Sequence, residues 1–225
     1  MGKWRTMFWP IHRGEYKKFI PMFVIFFLIS LNYSLLRTTK DTLIITNHHS
    51  GAAALPFIKL WVVLPMAVLM TFIFTRLSNR FEREKLFYSM IGIFLCFFLL
   101  FTCVLYPLRE YLHPTILGAR LEELLPKGLS GLVGLFSNWT FTFFYVMAEL
   151  WSTAILTVLF WGFANEVTPI AQAKRFYILL GVGANIATSI SGEITSLLSH
   201  ISFCSWLPYG HQAFDQYIFY LNVIL

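Results

Sequence analysis

Gly128 to Asn165 reads GLSGLVGLFSNWTFTFFYVMAELWSTAILTVLFWGFAN, 38 residues between Lys127 and Glu166 with one charge, Glu149, near the middle. A helix needs about 20 mostly apolar residues to cross the hydrocarbon core of a bilayer. An ionised group near the midplane costs roughly 2.5–3.5 kcal/mol on insertion scales. A carboxylate kept at that depth calls for a polar cavity to face, so the stretch reads as part of a membrane protein with an aqueous pathway.

The rest of the chain has the same character. Hydrophobic residues make up 57% of it and charged residues 12%, about half the share of a soluble domain. A soluble core of 225 residues cannot hide that much apolar surface. The 24 Phe, 7 Trp and 10 Tyr supply aromatics for both lipid interfaces. The formal charge of +6 sits in short clusters beside apolar runs, a pattern of membrane orientation rather than of binding to a nucleic-acid polymer. Cys96, Cys103 and Cys204 form no close motif, and no cleavable signal peptide precedes the first run.

Run lengths predict an all-α polytopic membrane protein of about six transmembrane helices. Residues 1–18 form a basic amino terminus with Lys3, Arg5, Arg13, Lys17 and Lys18. Spans are expected at about 19–36, 55–75, 86–108, 131–164 and 176–198, with a truncated sixth at 216–225. A single helix over 128–165 would reach about 57 Å, well beyond the core thickness. The glycine-rich 128–134 segment therefore reads as a lead-in, followed by one long, tilted span. One span there, with the amino terminus cytoplasmic, leaves 11 Lys and Arg inside and five outside, with Lys59 within a span. The chain stops within an apolar run and reads as incomplete. Transporters are often paired halves of about six spans, and 19–225 resembles one half.

Few residues are candidates for chemistry. Arg37, Lys40 and Asp41 follow the first span as a charged loop at its mouth. They are either an interfacial cluster pinning the helix end or cations that attract an anionic solute, Arg through its fork and Lys as a point charge. Lys59 is separated from Arg76 by 16 uncharged residues, so it enters the bilayer in the first turns of the second span. It either snorkels to the headgroups or faces a cavity, paired with a carboxylate or a phosphate. Glu149 has too short a stem to snorkel. It is a protonated acid between helices, the partner of a basic residue, or a proton-titrating coupling group.

Around Gly181-Val182-Gly183-Ala184-Asn185 the Walker ending is absent. Small residues at 181, 183, 184, 187, 188, 191 and 192 instead let helices approach closely, and Asn185 remains free to hydrogen-bond a substrate. His48 and His49 are consecutive and cannot share one helix face, so no metal site is expected, and no cofactor either. No nucleophile–base–acid arrangement is visible within the spans, which argues against an enzyme.

Several segments together resemble the nucleotide transporter family, the ATP/ADP translocase type of plastids and of chlamydial and rickettsial bacteria. They are Asn32 to Asp41 (NYSLLRTTKD), Pro56 to Trp61 (PFIKLW), Phe144 to Trp151 (FYVMAELW), Leu159 to Asn165 (LFWGFAN), Ala173 to Tyr177 (AKRFY) and Gly181 to Asn185 (GVGAN). They come in family order over about residues 5–200. The resemblance implies a twelve-span, major-facilitator-like transporter of which this chain is the amino-terminal half, the carboxy-terminal half being its partner. It implies a nucleotide substrate, with ATP exchanged for ADP in most members, and a bacterial inner (cytoplasmic) membrane. It maps the family's charged transport residues of this half onto Lys59 and Glu149. Thr38 departs from the family pattern Arg-Asp-Thr-Lys-Asp, which makes the mouth more positive. On this reading Lys59 neutralises phosphate, Arg37 and Lys40 concentrate anions, and Glu149 holds Lys59 or a second-half cation in the empty carrier. The other readings are a proton-coupled nucleotide symporter and a non-transporting membrane scaffold or degenerate half protein.

Overall fold

A computed structural model describes residues 11–46, 52–124, 126–201, 203–204, 206, 209–210 and 212–225, which form helices, turns and loops with no strand among them. Lys3, Arg5, His48 and His49 lie outside the described residues. Besides short single turns such as Arg109–Leu112, the helices are α1 (Tyr16–Ile45), α2 (Ala54–Ser78), α3 (Arg83–Leu105), α4 (Thr115–Leu124), α5 (Ser130–Ser137), α6 (Trp139–Val167), α7 (Ile170–Ser199) and α8 (Ala213–Ile224). Five of them, α1, α2, α3, α6 and α7, are long and apolar enough to cross a membrane. The described residues are thus all-α, and they form a multi-pass membrane bundle with five candidate spans.

The first helix runs well past Leu36 and carries Arg37, Lys40 and Asp41 within it, where the sequence reading places a loop. Threonine chemistry helps explain how a polar segment stays helical. The hydroxyls of Thr38, Thr39, Thr42 and Thr46 each donate to the carbonyl four residues back, at 2.7–3.2 Å. Their polar atoms are therefore satisfied without water, as an apolar setting requires.

The 128–165 stretch divides at Asn138, whose backbone leaves helical geometry (φ −116°, ψ 44°) and whose Nδ2 donates to the Gly134 carbonyl at 3.1 Å. The glycine-rich part before it is the separate helix α5 rather than an irregular lead-in. The part after it continues as the 29-residue α6. That helix ends where Thr168 adopts the extended conformation favoured before a proline, Pro169. The sixth apolar run is helical from Ala213 to Ile224, 12 residues or about 18 Å.

Helices α1 and α6 form the centre. Phe26 meets Phe160 at 4.5 Å near one end of the pair, while Lys40 meets Glu149 toward the other, so the two helices run antiparallel. Helix α7 packs most extensively on α1, and α3 leans on α6 through Phe94–Trp151 and Phe101–Phe144 ring contacts at 5.5 and 4.4 Å. Many of the aromatics expected at lipid interfaces are interior instead: Phe19, Phe94, Phe101, Phe144, Phe160 and Phe176 are fully buried. Of the small residues on α7, Gly183, Ala187 and Ser191, four apart, are the buried ones. A Cβ at Gly183 would come within 2.6 Å of the Phe23 ring, so this glycine is what lets α7 approach α1. Gly181 and Gly192 face open space.

Ion pairs tie the end of the bundle where α1 begins. Arg175 on α7 forks onto Glu15 just before α1, with nitrogen–oxygen distances of 2.8 and 3.2 Å. Burial raises the Glu15 pKa, but the His12 N–H and the Arg175 guanidinium outweigh it and hold the carboxyl below its ordinary value. Arg83 at the start of α3 pairs with Glu166 near the end of α6.

Candidate functional site: a buried lysine between two carboxylates

Helix geometry explains how Lys40 and Glu149 come together. Every Cα–Cβ bond leans toward the amino terminus of its own helix, so side chains on antiparallel neighbours lean toward each other along the axis. Lys40 lies five residues from the end of α1, and its stem points back into the bundle. Glu149 lies ten residues, about 15 Å, into α6 and points the opposite way. The Lys40 Nζ meets Glu149 Oε2 at 2.9 Å and Asp41 Oδ1 at 3.2 Å, and sits 3.9 Å from the centre of the Tyr145 ring.

The ammonium is the buried member. Lys40 is 4% exposed, whereas the side chains of Glu149 and Asp41 are 37% and 40% exposed. Burying a lone ammonium costs several kcal/mol, and here two carboxylates and an aromatic face offset that cost. The local count is one cation to two acids, with the acids on the open side. An anion arriving there would meet an ammonium held by two partly exposed carboxylates.

The other predicted residues are dispersed. Arg37 is exposed one turn before Asp41, and both border a shallow depression of about 380 Å³ lined by α1 alone. Lys59 is exposed on α2, within a wide turn where the Leu64 N–H reaches the Lys59 carbonyl five residues back. Among the described residues Lys59 makes no ion pair. Asn185 is exposed on α7 and donates to the Gly181 carbonyl of its own helix at 3.1 Å. The geometry therefore joins Lys40, Asp41 and Glu149, sets Arg37 beside Asp41, and leaves Lys59 and Asn185 outside the cluster. The carboxylate expected to hold Lys59 or a second-half cation holds Lys40.

Sequence reasoning placed Lys40 at the mouth and missed Tyr145. A signal for Lys40 was present: it follows Leu36 by four residues and precedes Leu43 and Ile44 by three and four, and all of these are buried on one helix face. Tyr145 stands one helical turn before Glu149, on the same face of α6.

A second buried charge cluster, also unanticipated, closes the opposite end of the bundle from Glu15. Asp215 Oδ1 accepts from Tyr106 Oη at 2.9 Å and Arg109 Nη2 at 2.8 Å, and Oδ2 accepts from the Gln212 N–H at 3.1 Å. Arg109 also lies 4.3 Å from the Tyr106 ring centre. Burial pushes the Tyr106 phenol pKa up, so it stays a donor. Beside this cluster His113 Nε2 is 2.6 Å from Thr140 Oγ1. Burial, then the Arg109 charge, lowers the His113 pKa to about 4, which keeps the ring neutral near pH 7.

Comparison with known proteins bears on this geometry. The family described as TLC ATP/ADP transporter matches residues 1–225. ADP,ATP carrier protein 1 of Chlamydia trachomatis serovar D is 53% identical over 191 residues, covering 85% of this chain and 36% of that relative. ADP,ATP carrier protein 2 of the same organism is 43% identical over 194 residues, with 86% and 36% covered. The Plastidic ATP/ADP-transporter of Solanum tuberosum is 44% identical over 199 residues, with 88% and 32% covered. The chain spans about a third of the length of these relatives. No solved structure matches it.

Proposed function

The chain belongs to the TLC ATP/ADP transporter family, and from that membership we propose that it forms one bundle of a nucleotide antiporter exchanging ATP for ADP. The observation that carries the reading is the buried Lys40 ammonium held by Glu149 and Asp41. A nucleotide polyphosphate offers the same ligand type as those acids, anionic oxygen, and competes for the cation from their exposed side.

Exchange follows from that competition. In the empty carrier the carboxylates keep Lys40 from standing bare in low dielectric; in the loaded one the phosphate does. Either state is neutralised, whereas a state with the carboxylates displaced and no phosphate bound is costly. Reorientation is then tied to occupancy. Arg37 gathers anions at the rim, Lys59 takes further phosphate charge from α2, and Asn185 contacts the nucleotide from α7. Asp41 turns toward Arg37, one turn away, when phosphate takes Lys40. ATP for ADP moves about one net negative charge, worth roughly 2.3 kcal/mol per 100 mV, so the concentration gradient must exceed the potential or another ion must travel.

This bundle, with a sixth span in the 213–225 region, works with a second bundle in a twelve-span, major-facilitator-like carrier, its site between the two. The basic residues on the side where α1 begins make that side cytoplasmic, and the membrane is the bacterial inner membrane. The relatives' printed names, ADP,ATP carrier and ATP/ADP-transporter, support the substrate pair.

A second reading is favoured by the extra acid. Two carboxylates beside one buried cation leave an acid over, and that second reading is proton-coupled nucleotide symport. Uptake of labelled ATP by cells expressing the full-length protein separates the readings. Stimulation by internal ADP, with insensitivity to an uncoupler, supports exchange; the reverse pattern supports symport. Unchanged uptake in Lys40→Ala refutes the site.

A further inference from the structure

Away from the Lys40 cluster, the ends of α2, α3 and α6 enclose a crevice of about 810 Å³ at the end of the bundle where α1 begins. Its lining is graded along the helix axes. Arg83 and Glu84 open α3, Glu166 nearly closes α6, and all three stand at the rim. Deeper, Phe74, Val158 and Phe163 present apolar surface; Val158 lies nine residues, about 13 Å, in from Val167. A polar rim over an apolar floor, at the depth where headgroups meet acyl chains, has the polarity gradient of a membrane lipid.

The rim charges narrow the headgroup. Arg83 pairs with Glu166, yet its side chain is 74% exposed, and a guanidinium has five N–H donors, so donors remain for a phosphate. Glu84 is exposed and makes no ion pair among the described residues. One guanidinium and two carboxylates therefore face one ligand. An anionic headgroup would add to an excess of negative charge. A quaternary ammonium brings positive charge but no N–H for the carboxylates. A primary ammonium joined to a phosphodiester meets both needs, with three N–H donors for the acids and anionic oxygens for Arg83.

We propose that this crevice is a binding site for one zwitterionic aminophospholipid, phosphatidylethanolamine in chemical class. Its phosphodiester sits on Arg83, its ammonium on Glu84 and Glu166, and an acyl chain lies against Phe74, Val158 and Phe163. The lipid belongs to the leaflet on the amino-terminal side. Bound there, it bridges α3 to α6 at the same point as the Arg83–Glu166 pair. The site is independent of the nucleotide reading, since it shares no residue with the Lys40 cluster.

The test is native mass spectrometry of the full-length protein titrated with phosphatidylethanolamine, phosphatidylcholine or phosphatidylglycerol of matched acyl chains. One phosphatidylethanolamine is expected to be retained about tenfold better than either competitor, the scale of a charged hydrogen bond. Glu84→Gln combined with Glu166→Gln should erase the preference over phosphatidylcholine. A Cβ at Gly162, on the crevice wall, meets nothing within 4 Å, so Gly162→Phe fills the space without a clash at its root and with every rim charge intact. That variant should lose the bound lipid while keeping its thermal stability in detergent. Equal retention of the three lipids by the unmodified protein, or full retention by Gly162→Phe, overturns the proposal.

Discussion

The Lys40 and Arg109 clusters are built from the same parts and behave as opposites. Each sets a cation beside a tyrosine ring, Lys40 at Tyr145 and Arg109 at Tyr106, and each pairs it with an acid from a distant part of the chain. In the Arg109 cluster the Asp215 side chain is 3% exposed, and both its oxygens have donors in fixed positions. A planar guanidinium with several bonds at once is hard to displace. In the Lys40 cluster the acids are over a third exposed, and the cation is a point charge on a flexible stem. Burial of the acid, not the presence of an ion pair, is what distinguishes the two clusters.

That contrast can be broken at either end. Arg109→Ala should have the largest effect, a loss of about 3–5 kcal/mol of stability because Asp215 stays buried without its cation. Thermal unfolding of the purified protein measures it, and the fraction that folds should bind nucleotide with unchanged affinity. Lys40→Ala should lower exchange of labelled nucleotide about 100-fold, near 2.7 kcal/mol, with a smaller change in melting temperature than Arg109→Ala. If Arg109→Ala stops transport without destabilising the protein, the two assignments are reversed. Asp41→Asn should change the apparent KM for ATP only about threefold, since Glu149 still holds the ammonium.

Near neutral pH the smallest effect belongs to His113. Its folded pKa of about 4 lies below the unfolded value of 6.5, so between those values the unfolded chain binds more protons. Its contribution is therefore complete above pH 6.5 and is lost as pH falls toward 4. His113→Gln should flatten the melting temperature over that window. An equal slope in both proteins would remove the histidine from the account.

The long spans were legible because apolar run length is a local property, and Pro169 marks the α6–α7 corner in the same local way. The end of α1 was not. Arg37, Lys40 and Asp41 interrupt the apolar run, and what permits the helix to continue is in part a carboxylate 109 positions later in the chain, Glu149. Depth in the apolar run singled out Glu149, which lies within α6, but depth does not name its partner. Lys59 and Lys40 carry the same charge near a helix end, and only the buried face shared with Leu36 and Leu43 distinguishes them. The Arg109–Asp215 pair was illegible for the same reason, since each residue by itself is an ordinary flanking charge.

The wide turns at Ile58–Val63, Phe101–Leu105 and Ser152–Phe160 have a consequence for anyone scanning these helices by mutation. A turn closed by a bond five residues back holds about one residue more than an α-turn, and each residue of an ordinary helix advances by about 100°. Substitution tolerance plotted along α2 or α6 should therefore slip in phase on crossing 58–63 or 152–160. A helical wheel drawn straight through either stretch would assign its far half to the wrong side.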